Sequence, residues 1–174
     1  MAGASLLAYL IIYVPRFDYI QGRIFSFFNR EIGTHNFQSD KAIESITSGG
    51  FFGKGIGEGV LKNRVPEAHT DYIISVISEE FGVVAIILIL LLFLILIYMV
   101  FKKISFETND KVKLILIGSV SLILMQATIH VGVNIRLFPT TGMTLPFLSY
   151  GGSSIISTSI LAGIILNLTK RKIT

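Results

Sequence analysis

One stretch of the chain gathers groups that can exchange protons and face charge. Pro66-Glu67-Ala68-His69-Thr70-Asp71 is followed by Tyr72 to Ser78, then by the paired acids Glu79-Glu80 and Phe81-Gly82. What comes next sets these acids apart. From Phe81 to Phe101 there is no charged residue, and 21 helical residues at about 1.5 Å each span roughly a bilayer core. Asp71 is therefore expected at or just inside the mouth of a membrane helix. An acid in that position is costly unless it faces a polar cavity or a partner, so a functional site is the working expectation. The same acids would also suit the solvated first turns of a helix, where negative charge complements the dipole.

The elements that must position this stretch follow from composition. Of 174 residues, 52% are hydrophobic and 15% charged, and the mean hydropathy is +0.72. That composition belongs to a membrane protein. The expected fold is all-α: a polytopic membrane helix bundle with three full spans, the end of a fourth, and a large outer loop. The absence of cysteine removes any disulfide framework and any thiolate metal site. No basic segment precedes the first apolar residues, so no cleavable signal is read there. Residues 2–14 are apolar but too short to span, and Pro15 breaks them. Residues 1–15 are read as the end of a membrane helix that begins in a preceding part of a larger protein.

Residues 16–71 form the expected outer loop, with seven basic residues balanced by seven acids. Within it, Gly22 to Arg30 interleaves aromatics with arginines, which suits the lipid headgroup level and equally a small folded loop. Ser39–Ser48 reads as a short helix, with Ser39 as N-cap and Gly49 past its end. The glycine-rich run Gly49 to Gly59 lacks the spacing of a phosphate-binding loop and the strand-turn-helix setting of a dinucleotide fingerprint. Its glycines are expected to permit a tight, irregular backbone, in places under a ligand. Lys54 reads as a solvated lysine that could offer a point charge to a phosphate.

The later spans are expected at 114–136 and 147–169, after a first at 72–101. In the second, Ser119, Gln126, His130 and Asn134 share one helical face, and in lipid they need partners on protein or a cavity. His130 has no second ligand at metal spacing, so interhelical hydrogen bonding is the expected role. Two prolines and a glycine between Arg136 and Pro146 exclude a continuous helix. In the third span Ser149, Ser153 and Ser157, and likewise Ser154, Thr158 and Ala162, recur at i+4, as close helix packing requires. No base stands beside these serines to make a nucleophile of one.

Two long motifs carry a resemblance. Pro66-Glu67-Ala68-His69-Thr70-Asp71-Tyr72 with Glu79-Glu80-Phe81-Gly82, and Pro139-Thr140-Thr141-Gly142-Met143-Thr144-Leu145-Pro146-Phe147-Leu148-Ser149-Tyr150-Gly151-Gly152-Ser153-Ser154, resemble the signatures of the SEDS family. These are the membrane peptidoglycan glycosyltransferases of the FtsW, RodA and SpoVE group. Ala68 and the Thr-Thr-Gly-x-Thr-Leu-Pro form look more like the division branch than the elongation branch. The sequence departs from the pattern at Ser78, His130 and Arg136, where glycine, asparagine and a small residue are common. The family has ten membrane helices, so the whole chain corresponds to the C-terminal part of a single SEDS domain.

The resemblance implies polymerisation of lipid II into glycan strands for septal wall synthesis. The fragment alone is expected to be inactive, because the first six helices lie outside it. Asp71 occupies the family's catalytic position and is the expected general base. Glu67, His69, Arg23, Lys54 and Arg64 are the expected substrate-binding residues, with Glu67 a rival base. A divalent cation, magnesium or manganese, is allowed by the chemistry, although no metal-ligand set is evident. Expected partners are lipid II, a class B penicillin-binding protein and other division proteins, with no nucleic acid. The alternatives are a lipid II flippase or a non-enzymatic division scaffold. An acid at a helix mouth favours the enzyme, since a proton-coupled carrier more often places acids near the midplane.

Lysines define the orientation. Lys102, Lys103, Lys111 and Lys113 fall in one short connection and Lys170, Arg171 and Lys172 in the tail, while the opposing turn has only Arg136. The positive-inside rule places the lysine-rich segments and the C-terminus in the cytoplasm of a bacterium, with the chain in the inner membrane and residues 16–71 outside. Single cysteines introduced at Asn36 and Asn109 test this in intact cells. A membrane-impermeant reagent should label position 36 and not position 109, and the reverse pattern would invert the topology.

Overall fold

The computed structural model describes residues 34–65 and 67–170, together with Gly22 and Phe27. Expectations for residues 1–15, for the Gly22–Arg30 segment as a whole, for Arg23, for Pro66 and for the tail from Arg171 lie outside the described residues. From residue 34 on, the described residues form five helices and no strand: α1 (Thr34–Gly49), α2 (Leu61–Arg64), α3 (Ile73–Phe106), α4 (Asp110–Asn134) and α5 (Gly152–Thr169). The last three are long and apolar enough to cross a membrane. They pack as a bundle, with Val100, Leu116, Val120, Ile123 and Ile165 buried together. A second cluster, Ala42, Val65, Ala68, Tyr72, Val76 and Val133, joins α1 and the turn before α3 to the end of α4.

Helix bounds differ from the charge-based spans in physically readable ways. α3 runs past Phe101 through Lys102 and Lys103 to Phe106, since lysines are good helix formers and do not end a helix. α4 starts at Asp110 instead of 114, because the Asn109 side chain accepts from the Lys111 N–H at 3.0 Å and caps it. It ends at Asn134, two residues before the expected 136. Arg136 there adopts φ 59, and the Leu137 N–H turns back to the Gly132 carbonyl at 2.7 Å. α5 starts at Gly152 instead of 147, because the N–H groups of Leu148 and Ser149 fold onto the Leu145 carbonyl and Phe147 has φ 66. Ser149 is therefore outside the helix, and Ser153 and Ser157 are exposed. Of the small-residue rows, Ser149 and Thr158 are buried.

α1 is also longer than expected. It begins at Thr34, so Ser39 is no N-cap; it lies buried within the helix, with its Oγ 3.5 Å from the Tyr72 hydroxyl. Gly49 is the last helical residue, and Gly50 with φ 59 turns the chain out.

The glycine run then does something its sequence does not announce. α3 is broken at Gly82 (φ 80, ψ 178). In an unbroken helix the N–H groups of Val83 and Val84 would reach the carbonyls of Glu79 and Glu80. Here the Lys54 and Gly55 N–H groups take those carbonyls, at 2.9 and 3.1 Å. Val83 and Val84 donate instead to the carbonyls of Gly50 and Phe51, at 3.0 and 3.4 Å. The loop is thus spliced into the helix's own hydrogen-bond ladder, leaving these peptide groups paired at the break. Backbone meets backbone, so no side chain fits between them. A Cβ on Gly49, Gly53 or Gly82 would overlap the carbonyls of Ser78, Glu80 or Phe51.

Gly82→Ala should therefore be severe. The φ/ψ pair is one that only glycine adopts readily, worth of order 1–3 kcal/mol before any clash. A thermal melt of the purified protein should show a clear loss of stability, whereas Gly118→Ala, where a Cβ meets nothing within 4 Å, should be neutral or better. Equal melting of the two variants would contradict the splice.

Candidate functional site

Asp71 ends a tight turn. The N–H groups of Thr70 and Asp71 both donate to the Glu67 carbonyl, at 3.2 and 3.0 Å, and the Thr70 hydroxyl donates to it at 3.1 Å. Ala68 and Tyr72, fully buried beneath, anchor the turn in the α1–α3–α4 cluster. Glu67 and His69 are exposed on its outer side and Asp71 is half-buried.

Three neighbours hold the turn by its backbone. Asn134, at the end of α4, donates to the Asp71 carbonyl at 3.0 Å and to the His130 carbonyl at 2.9 Å. Its Oδ1 accepts from the N–H and hydroxyl of Ser75 at 3.2 and 2.7 Å. The Ser149 hydroxyl donates to the Thr70 carbonyl at 2.8 Å while accepting from the Leu145 N–H at 2.7 Å. The Tyr150 N–H donates to the His69 carbonyl at 3.1 Å. The carboxylate itself faces the 139–146 segment, where Gly142 has φ 68. A Cβ on Gly142 would sit 3.6 Å from Asp71 Oδ2.

The polar row along α4 secures that facing segment. Gln126 donates to the Thr144 carbonyl at 2.9 Å and to the Ser154 hydroxyl at 3.0 Å. His130 Nδ1 is 2.7 Å from the Met143 carbonyl. A carbonyl only accepts, so Nδ1 carries a hydrogen, and in the neutral ring Nε2 is then a bare lone pair. Nε2 is buried with no hydrogen-bond partner among the described residues. The row therefore works partly between helices and partly from helix to loop, which extends the interhelical role expected for it.

The basic candidates lie elsewhere. Lys54 and Arg64 line one 140 Å³ cavity, with Lys41, Glu44, Ser45, Ser48, Val60 and Glu79. Lys54 is exposed, as expected of a solvated lysine, but it is also paired: its Nζ is 2.9 Å from Glu79 Oε1, and the Glu79 side chain is only 3% exposed. A buried carboxylate needs such a partner, and the spliced loop delivers it. Glu79 thus departs from the solvated first turn that its place before the apolar run allowed. Across the cavity mouth Lys41 bonds Glu44, and holds its carboxyl below the ordinary value. None of Glu67, His69 and Asp71 lines this cavity, so the expected site residues fall into two groups, and Arg23 is outside the described residues.

The sequence marked Ser149 and Glu79 for other roles, close helix packing and a solvated first turn, and assigned none to Ser75 or Lys41. The only signal for Ser75 was its place one turn after Asp71, and nothing in spacing links Lys54 to Glu79. No group of three or more His, Asp or Glu side chains that could hold a metal exists among the described residues.

The sequence matches the FtsW/RodA/SpoVE cell cycle protein model over residues 1–173. It is 37% identical over 183 residues to the probable peptidoglycan glycosyltransferase FtsW of Enterococcus hirae, covering 99% of this chain and 46% of that one. It is 38% identical over 158 residues to the FtsW of Caulobacter vibrioides, covering 90% and 40%. The fold matches a chain in a solved peptidoglycan synthase complex that coordinates polymerisation and crosslinking. That match has a TM-score of 0.70 and 27% identity, over 97% of this chain and 46% of the other. The chain spans about half the length of the curated relatives it matches. It is a multi-pass membrane chain, and it belongs to the FtsW/RodA/SpoVE family of cell cycle proteins.

Proposed function

We propose that this chain supplies the acceptor-activating part of a peptidoglycan glycosyltransferase that polymerises lipid II. The carrying observation is the Asp71 turn: a half-buried carboxylate whose backbone is held from α4 and from the 145–150 segment at the mouth of a membrane helix. Catalysis by positioning asks for that kind of preorganised support.

In the proposed reaction the 4-hydroxyl of an acceptor GlcNAc attacks the anomeric carbon of a MurNAc carried on undecaprenyl pyrophosphate. Asp71 takes the hydroxyl proton as the new C–O bond forms. The bond from the anomeric carbon to the pyrophosphate breaks, and the diphosphate leaves with the electron pair. One base and no covalent nucleophile suffices for a single inverting displacement. Glu67 and His69, exposed on the same turn, are placed to contact the incoming sugar. Arg64, beside Lys54 in the 140 Å³ cavity, is the stronger candidate for a phosphate, because Lys54 already serves Glu79. A divalent cation finds no three-ligand set among the described residues.

The transporter reading has less support. The α4 row that a translocation path would use is taken up by Thr144, Ser154, Met143, Ser75 and the Asp71 carbonyl. Division-septum placement in the bacterial inner membrane, a cytoplasmic C-terminus and a crosslinking class B penicillin-binding protein as partner belong to the same proposal. The synthase complex supports the partner, and the lysines of the 102–113 connection and of the tail support the orientation.

Asp71→Asn keeps shape and loses the proton acceptor. In the full-length protein with purified lipid II, glycan synthesis should fall by about 10²–10⁴, and Glu67→Gln should cost less. Normal chains from Asp71→Asn with a dead Glu67→Gln would move the base to Glu67. Normal rates from both would bring the transporter forward.

Asn134 is a positioning residue in this scheme. Asn134→Ala should lower kcat by up to about 10² with little change in KM, and should cost about 0.6–2 kcal/mol in stability per lost bond. An unchanged kcat in a stably folded variant would remove it from the scheme.

A further inference from the structure

We infer that the glycine loop at the α3 break is a membrane anchor: Phe51, Phe52 and Ile56 enter the lipid interface of the bilayer that α3 crosses. These side chains are 74%, 86% and 81% exposed. All three fall between 51 and 56, at the tip of a glycine-rich loop that also holds Lys54 and Glu58. The one charge within 51–57, Lys54, is paired with the buried Glu79 carboxylate of α3. Glu58, exposed beside Gly55 and two residues beyond Ile56, keeps to the aqueous side of that interface.

The backbone agrees. An irregular loop is tolerated near hydrocarbon only where its peptide groups are satisfied by protein. The Gly53, Lys54 and Gly55 N–H groups donate to the carbonyls of Gly49, Glu79 and Glu80, and the carbonyls of Gly50 and Phe51 accept from α3.

Register names the occupant. The loop is bonded to Val83 and Val84, the first residues of the uncharged part of α3 after the break. From Gly82 to Lys102 is 20 residues, about 30 Å of helix, which matches the hydrocarbon thickness. With Lys102 and Lys103 at one boundary, the loop tip lies at the other, where amphipathic and aromatic groups anchor membrane proteins. Phe81 and Val84, flanking the break, are themselves 44% and 48% exposed and continue the apolar surface. The inference needs only the membrane span, not the glycosyltransferase chemistry.

The chain contains no tryptophan, so Phe52→Trp in the full-length protein reports by its difference from the parent. Phe52 has room for the larger ring, and unchanged helicity confirms folding. In phospholipid vesicles the added emission should be blue-shifted and quenched by lipids brominated high on the acyl chain, but not by aqueous iodide. Thr108→Trp, in the exposed turn between α3 and α4, is the control that iodide should reach from its own side. Quenching of the Phe52→Trp signal by iodide would place the tip in water. Quenching by neither agent would place it under protein. Either result overturns the anchor. If Phe52→Trp fails to fold, a nitroxide on Phe52→Cys gives the same discrimination through its accessibility to oxygen and to a water-soluble nickel chelate.

Discussion

At membrane depth water is not available to satisfy a broken hydrogen bond, and this constraint shapes both unusual features of the chain. One is the polar row on α4, the other the break in α3. Gln126, His130 and Asn134 would be costly facing lipid. Each instead reaches backbone or hydroxyl groups of the 143–154 segment, of α3, or of α4 itself. Gly82 interrupts a helix at the start of its apolar run, and the glycine loop supplies partners for the four peptide groups that lose theirs. In both places irregular backbone is permitted because protein replaces solvent.

The same bonds convert a stability requirement into geometry for chemistry. Asn134 is fixed by Ser75 and by its own helix, so its bond to the Asp71 carbonyl ties the candidate base to two spans at once. Ser149 and Tyr150 tie the preceding two residues to the segment that leads into α5. The segment facing the carboxylate is itself held through Met143 and Thr144. The acid and the loop it faces are thus referred to the same helix, α4, and move with it. The loop splice likewise sets Lys54 against Glu79, which turns a cation that looked free into the counter-charge of a buried acid. What remains in that cavity for an anion is Arg64, with Lys41 shared by Glu44.

Much was legible from the chain alone, for reasons of composition and local chemistry. Uncharged runs of bilayer length exist independently of their neighbours, so three membrane helices could be read directly. Asp71 stood out because an acid next to such a run is expensive. The spacing of Gln126, His130 and Asn134 required partners, whatever those partners were. The long motifs around Asp71 and from Pro139 to Ser154 carried the family, which the match over residues 1–173 establishes.

Tertiary structure alone decided who the partners are. The bonds that matter here join residues 59, 63 and 79 positions apart: Asn134 to Ser75, Asn134 to Asp71, and Ser149 to Thr70. No local periodicity encodes such pairs. The start of α5 moved to Gly152 because Ser149 is used as a bridge to the Asp71 turn, not as a helix residue. Ser39 moved from a cap to a buried contact because α1 packs on Tyr72. The glycines of 49–55 advertised an irregular backbone, but its purpose depends on a break 30 residues away, where two chain segments exchange the hydrogen bonds that either alone would lack.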